Sequence, residues 1–260
     1  MARLTLSFLG TFQIELEEEP VTSFVSDKAR ALLAYLATGA DRPHRRESVA
    51  SLFWPDRPQA TAFNSLRQAL FSIRRAIGDQ ETSPPFLLIS RQSLQFNMAS
   101  DHWLDVAAFT EYILASKTHT HQQLATCAHC IQCLEQAIAL YRGDFLAGLT
   151  LKDSSDFEEW SLLKRELLHD QAFQALQYLA DYYEQQGDYQ QSRHHTRRQI
   201  ELDPWQEEAH QQMMRLLALS GQRGAAMAQY ENCRRVLAEG LGVEPTRETT
   251  ELYERIRAGQ

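Results

Sequence analysis

No stretch of this chain stays apolar for the ~20 residues that a membrane-spanning helix needs, which argues against an integral membrane protein. The first twenty residues, MARLTLSFLGTFQIELEEEP, alternate and soon turn acidic. They lack the continuous apolar core and small-residue cleavage site of a secretory signal, so none is expected. Four cysteines in 260 residues are too sparse for a disulfide scaffold and point to a reducing cytoplasm. A Gly-rich phosphate loop, a G-x-S-x-G elbow and an H-E-x-x-H pair are all missing. Nothing argues for an enzyme, and no cofactor is expected. An overall excess of positive charge is missing too, since the formal net charge is −8.

That total hides an asymmetry. Residues 1–100 carry 11 Lys+Arg against 10 Asp+Glu, whereas residues 101–260 carry 15 against 24. Between residues 42 and 77, seven arginines face only Glu47 and Asp56. A basic segment in a near-neutral half, followed by an acidic half, predicts two domains with different partners.

Residues 4–9 and 11–17 alternate at period two around Gly10, which predicts a β-hairpin ended by EEEP, and Val21–Val25 reads as a further short strand. The period then lengthens. Ser26 is placed to cap a helix whose Ala29, Leu32, Leu33 and Leu36 form one stripe and which Gly39 ends. A second helix fits Arg46 to Phe53, stopped by Trp54-Pro55. Asp56 and Gln59 read as a capping box opening a third helix, in which Phe63, Leu66, Leu70, Ile73 and Ile77 step by three and four. Its other face carries Asn64, Arg67, Gln68, Phe71, Arg74 and Arg75. FLLIS and SLQFN, flanking Arg91-Gln92, close the segment as a hairpin.

Strands, three helices and a hairpin make a winged helix-turn-helix, whose helix after the turn enters the major groove of DNA. Arg67 and Gln68 suit purine edges, because each forms paired hydrogen bonds. Asn64, Arg74, Arg75 and the Arg45-Arg46 pair suit phosphates. Thr61 and the wing residue Arg91 complete the candidate DNA-contacting set. The plainer alternative is a solvated helix face.

The segments KARALLAYLA, ESVASLFWPD and ATAFNSLRQALFSIRRAIGD, followed by a hairpin, resemble the OmpR-type DNA-binding domain of SARP-like bacterial transcription regulators. The resemblance implies a recognition helix over residues 60–77, with Arg67, Gln68 and Phe71 facing bases and Arg74-Arg75 as the basic pair near the helix end. Phe71 departs from the polar residue often found there. Either it meets a thymine methyl or it belongs to the core.

Residues 101–260 read as helical throughout, without a convincing strand. A period of 34 aligns Ala175 with Ala209, Leu179 with Met213, Tyr182 with Leu216, Gly187 with Gly221, and Ser192 with Ala226. This is the tetratricopeptide layout. Asp203-Pro204 with Gln206 reads as an N-cap, first-turn proline and capping-box partner. LDVAAFTEYILA (104–115) and CIQCLEQAIALYRGDFL (130–146) read as a degenerate earlier pair, and Pro245-Thr246 opens a last helix with Leu252, Tyr253 and Ile256 inward.

The expected fold class is therefore an α+β N-terminal winged helix-turn-helix domain over residues 1–99, followed by an all-α tetratricopeptide-like repeat domain over residues 100–260. RGDFLAGL (142–149) and ELYERI (251–256) resemble landmarks of the bacterial transcriptional activation domain of the same regulators. The resemblance implies double-stranded DNA and RNA polymerase as partners, with copies side by side on direct-repeat promoter sites. The alternative is a protein–protein adaptor whose repeats work while its winged helix no longer binds DNA. Regulators of this kind also occur at the head of longer chains with an ATPase domain, and the sequence leaves open whether this chain is such a piece.

Cys127, Cys130 and Cys133, near His119, His121 and His129, invite a metal reading. Zinc sites use two separated ligand pairs, whereas steps of three within one helix fan the sulfurs across its surface, so no metal is expected. His194-His195 is expected on a solvated face, and the four tryptophans (54, 103, 160, 205) as packing anchors.

Overall fold

The computed structural model describes residues 3–118 and 127–259; His119 and His121 lie outside them. The chain divides into two compact units: Met1–Leu114 with Ala139–Leu168, and Ala115–Ile138 with His169–Gln260.

The first unit opens with the expected hairpin, β1 (Leu4–Ser7) against β2 (Gln13–Leu16), with Leu4 opposite Leu16 and Leu6 opposite Ile14. The turn after β2 is tighter than EEEP suggested. Glu17 and Glu18 both take positive φ (52° and 71°), and Glu19–Pro20 returns as β3. Residues 21–25 are not a strand, contrary to the sequence reading. Pro20 has no N–H to extend the ladder, and only the Val21 N–H reaches back, to the Ile14 carbonyl.

A strand missed in the sequence, β7 (His102–Leu104), runs parallel to β1 and completes the sheet β3-β2-β1-β7. Three residues are too few to show a period. The RGDFLAGL landmark also belongs to this unit, with Phe145 and Ala147 bridging to Leu9 and Thr11. Asp105, 1% exposed, ties these pieces together. Its carboxylate accepts the N–H groups of Phe8 (2.8 Å) and Leu9 (2.9 Å) and pairs with Arg142 at 3.1 Å. Burial raises its pKa, against the opposing pull of those bonds.

Three helices follow the first hairpin. In α1 (Asp27–Thr38), the Ser26 hydroxyl accepts from the Ala29 N–H, and the predicted stripe is buried. The helix α2 (Arg46–Phe53) ends at Trp54. The third, α3 (Gln59–Ala76), starts after Pro58 without the expected capping box. Asp56 lies two residues ahead of the cap position, and the Gln59 amide instead donates to Glu47 at 2.9 Å. Leu66, Leu70, Ile73 and Ile77 are buried as predicted, while Phe63 is only half-buried.

The wing is β5 (Leu87–Ile89) against β6 (Ser93–Phe96). A two-residue strand, β4 (His44–Arg45), pairs with β6 and fixes the wing to the start of α2. Behind these helices, Tyr35, Phe53, Phe145, Phe157 and Trp160 form an aromatic cluster with ring centroids 4.9 to 5.9 Å apart. Such rings bury large apolar areas. Lys28 adds a bond to the Phe53 carbonyl and an ion pair with Asp153, both 2.7 Å. After β7 comes α4 (Asp105–Thr118), with α5 (Ala128–Leu140) beyond it. The long helix α6 (Ser155–Gln185) begins in the first unit and ends in the second.

In the second unit, α7 (Tyr189–Leu202), α8 (Glu207–Leu219), α9 (Arg223–Leu241) and α10 (Arg247–Ala258) pack each on the next. The 34-residue period is visible in the turns, where Gly187 and Gly221 take φ of +76° and +73°. Only glycine adopts these values without strain. Met214, Ala226, Tyr230, Leu252 and Ile256 share one core, which Tyr253 covers by stacking on Tyr230 at 4.2 Å.

Three expectations fail here. Asp203 caps the end of α7, and its carboxylate takes the Trp205 N–H, so α8 begins at Glu207 with Gln206 at the cap position and no side-chain cap bond. His195 is buried, its ring stacked on Tyr183 at 5.6 Å. One polar position inside an otherwise polar helix gave no periodic sign of this. Among the tryptophans, Trp54 is buried, but Trp103 and Trp205 remain 36% and 50% exposed.

Candidate nucleic-acid interface

Eighteen residues make α3 about 27 Å long. One side is closed off by Ala62, Leu66, Ala69, Leu70 and Ile73. Opposite them, Thr61, Asn64, Gln68, Phe71 and Arg75 are exposed and follow one another at steps of three and four. They form a continuous stripe along the helix. Phe71 is 62% exposed, which removes the core reading of that residue.

Positive groups lie along both edges of the stripe. On the wing side, Arg45, Arg46, Arg67 and Arg91 line adjoining clefts with Phe63 and Ser90. The backbone explains the convergence. The Arg46 N–H bonds the Gln92 carbonyl at 2.9 Å, and its guanidinium reaches the Ser90 carbonyl at 3.2 Å. The Ser90 hydroxyl accepts the Ser93 N–H at 2.8 Å and shapes the turn that presents Arg91. Arg67 is steadied by the Asn64 side-chain oxygen at 3.2 Å. Partial burial, and after it the charge of Arg67, pull the Arg46 pKa below its ordinary value. Arginine stays charged regardless, so two cations lie near one another; Glu47, which lines the cleft with Arg45 and Arg46, accepts instead from the Gln59 amide.

On the other edge, Lys28, Trp54, Arg57, Ser72 and Arg75 line a groove with Gln68 and Phe71. Arg57 is anchored by the Ser65 hydroxyl at 2.8 Å. Arg74 differs from its neighbours, because its Nε pairs with the buried Asp79 at 2.7 Å. Among the described residues, none of Arg45, Arg46, Arg67, Arg75 and Arg91 is in an ion pair. A polar stripe bordered by uncompensated cations suits a groove flanked by two phosphate backbones.

The sequence-predicted residues thus come together on α3 and the wing, Arg74 being turned inward. Sequence reasoning missed Arg57 and the β4–β6 pairing that sets the wing. Arg57 follows a Trp-Pro-Asp turn, and nothing in its spacing connects it to α3.

Among the described residues, no group of three or more His, Cys, Asp or Glu is placed to hold a metal ion. The sulfurs also do not simply fan around one helix, because Cys127 lies just before α5. None of the helices in the described residues is long and apolar enough to cross a membrane.

A winged helix-turn-helix with a basic exposed face, followed along the chain by tetratricopeptide-like repeats, is the architecture of a SARP-like transcriptional regulator. The chain belongs to the bacterial transcriptional activator domain family, whose model matches residues 104–257, more than half of its length. It is 25% identical over 231 residues to the regulatory protein AfsR of Streptomyces coelicolor, covering 89% of this chain. It is 24% identical over 239 residues to AfsR of Streptomyces griseus. The chain spans only 22% of the length of each of these relatives. Its fold is also that of Mycobacterium tuberculosis EmbR, solved in complex with a low-affinity phosphopeptide. That likeness has a TM-score of 0.69 and 21% identity, covering this whole chain and 66% of that one.

Proposed function

We propose that this protein is a sequence-specific DNA-binding transcription activator. The observation that carries the reading is the exposed stripe of Thr61, Asn64, Gln68, Phe71 and Arg75, bordered by Arg45, Arg46, Arg67 and Arg91. Arg67, Gln68 and Phe71 read base edges. Thr61, Asn64, Arg75, Arg45 and Arg46 hold phosphates, and Arg91 carries the wing to the backbone or minor groove. Arg74 supports the helix end through Asp79 and offers its remaining N–H groups to phosphate.

Residues 1–99 supply DNA binding, and residues 100–260 supply activation through helical repeats that contact RNA polymerase. Helical repeats bury one shared core and leave extended surfaces for protein partners, and the acidic balance of this half favours a protein surface over DNA. Copies bind side by side on direct-repeat promoter sites. That the AfsR relatives are regulatory proteins accords with this reading.

The test is selection of bound duplexes from a random pool with the purified chain. Recovery of one recurring motif, repeated in the same orientation, is the expected result. A pool that stays random at moderate salt overturns the proposal.

A further inference from the structure

The carbonyl of Cys127 accepts the Ile131 N–H at 3.1 Å, so Cys127 occupies the cap position of α5 and Cys130 the third helical position. Side chains at these two positions reach one another, the geometry that capping boxes use. Here the two thiols are hydrogen-bonded to each other. Cys127-Ala128-His129-Cys130 at the start of α5 is also a Cys-X-X-Cys spacing at a helix N-terminus, the placement of thiol pairs that interconvert with a disulfide.

The pair is chemically uneven. Cys127 is half-buried, and the backbone N–H groups of Cys130 and His129 point at its sulfur. They draw its pKa below the usual thiol value, the hydrogen bond from Cys130 contributing most. Cys130 is fully buried, and burial pushes its thiol up to about 11. Cys133 is also buried and raised, and its sulfur lies 3.7 Å from the His129 ring. Cys233 is buried elsewhere, in α9. A partly exposed thiol of lowered pKa beside a fully buried thiol of raised pKa is the arrangement of an attacking and a resolving cysteine.

We propose that Cys127 and Cys130 form a peroxide-sensitive oxidation site that closes reversibly to a disulfide. The Cys127 thiolate attacks one peroxide oxygen. An S–O bond forms, the O–O bond breaks, and hydroxide departs and takes up a proton as water. Cys127, oxidised by two electrons, is then a sulfenic acid. The Cys130 sulfur attacks the Cys127 sulfur and expels hydroxide, which carries off the Cys130 proton as a second water. Two thiols and one hydrogen peroxide become one disulfide and two waters.

The test treats the full chain with stoichiometric hydrogen peroxide, alkylates the remaining thiols and maps them by mass spectrometry. A disulfide joining Cys127 to Cys130 is expected, with Cys133 and Cys233 alkylated and with dithiothreitol restoring the thiols. Cys130→Ser should stop Cys127 at the sulfenic acid, captured by dimedone. Cys127→Ser should slow oxidation of the cluster by about tenfold or more. Circular dichroism of each sample establishes that α5 and its neighbours are folded. Oxidation of Cys133 or Cys233 ahead of Cys127, a disulfide joining Cys130 to Cys133, or an unchanged rate in Cys127→Ser overturns the proposal.

Discussion

Arg74 and Asp79 lock the end of α3 to the wing. The guanidinium Nε meets one carboxylate oxygen at 2.7 Å, and the other oxygen takes the Leu87 N–H at the start of β5, at 2.9 Å. The Asp79 side chain is fully buried, whereas Arg74 stays about one-third exposed. Removing the carboxylate leaves a buried N–H and a half-buried cation without a partner. Asp79→Ala should therefore cost about 2–4 kcal/mol in chemical denaturation. Asp79→Asn keeps an acceptor for Leu87 and should cost less. An unchanged stability in Asp79→Ala would mean that the wing is held by β4 and β6 alone.

Asp105 plays the same part for the first sheet. It satisfies the Phe8 and Leu9 N–H groups where the chain leaves β1, and pairs with Arg142 of the RGDFLAGL segment. Asp105→Ala strands two buried donors and the Arg142 cation, with an expected loss of about 3–5 kcal/mol. Asp105→Asn should recover part of it, since one oxygen still accepts. Thermal and denaturant melts of the two variants measure the difference.

The winged helix was readable because each element carries its own local signal. The Ser26 cap, the four-residue stripe of α1 and the Trp54-Pro55 stop all act within a turn or two of chain. The α3 face was readable for the same reason, since burial of Leu66 and Ile73 fixes where Gln68 and Arg75 must point. What escaped depends on distant partners. His44–Arg45 and His102–Leu104 are strands only because β6 and β1 lie beside them. Gln59 abandons its capping box for Glu47, twelve residues earlier. His195 is buried because Tyr183 on the preceding helix covers it.

His195 makes a pH prediction. Burial, followed by the charge of His194, lowers its pKa to about 4, and Nδ1 has no hydrogen-bond partner. The unfolded chain has the ordinary value of about 6.5, so between these values it binds more protons than the folded chain. This group's contribution to stability is complete above about pH 6.5 and is lost as the pH falls towards 4. His195→Leu should flatten the wild-type decline in that window by up to about 1.4 kcal/mol per pH unit. Denaturation midpoints at pH 7, 6, 5 and 4 test it. Parallel curves for the two proteins would show that His195 is not titrating as described.

The β2–β3 turn offers a stabilising change. Glu17 and Glu18 both hold positive φ, which disfavours side chains with a Cβ, and Asn-Gly is the pair such a turn prefers. Glu17→Asn with Glu18→Gly should stabilise the chain by about 1 kcal/mol. Part of the gain is offset by losing the 3.3 Å Arg3–Glu17 ion pair, which is largely exposed and of little weight. The double variant should leave DNA affinity unchanged, because the turn lies outside the residues that line α3 and the wing.

The proposed roles, base reading by Arg67 and phosphate holding by Arg45, make separable predictions. If about four to six phosphates are neutralised, log affinity should fall with log salt at a slope of roughly −4 to −5. Arg45 is exposed on the short strand beside the wing, at the border of the α3 stripe and not on α3 itself. Arg45→Ala should weaken all duplexes alike and reduce the slope by about 1. Arg67 projects from α3 and is steadied by Asn64. Arg67→Ala should cost about 1–3 kcal/mol on the selected motif and far less on unrelated DNA. Competition gel shifts at several salt concentrations read both quantities. If the two variants lose affinity equally on every sequence, α3 only positions the protein, and specificity must come from the wing or from DNA shape.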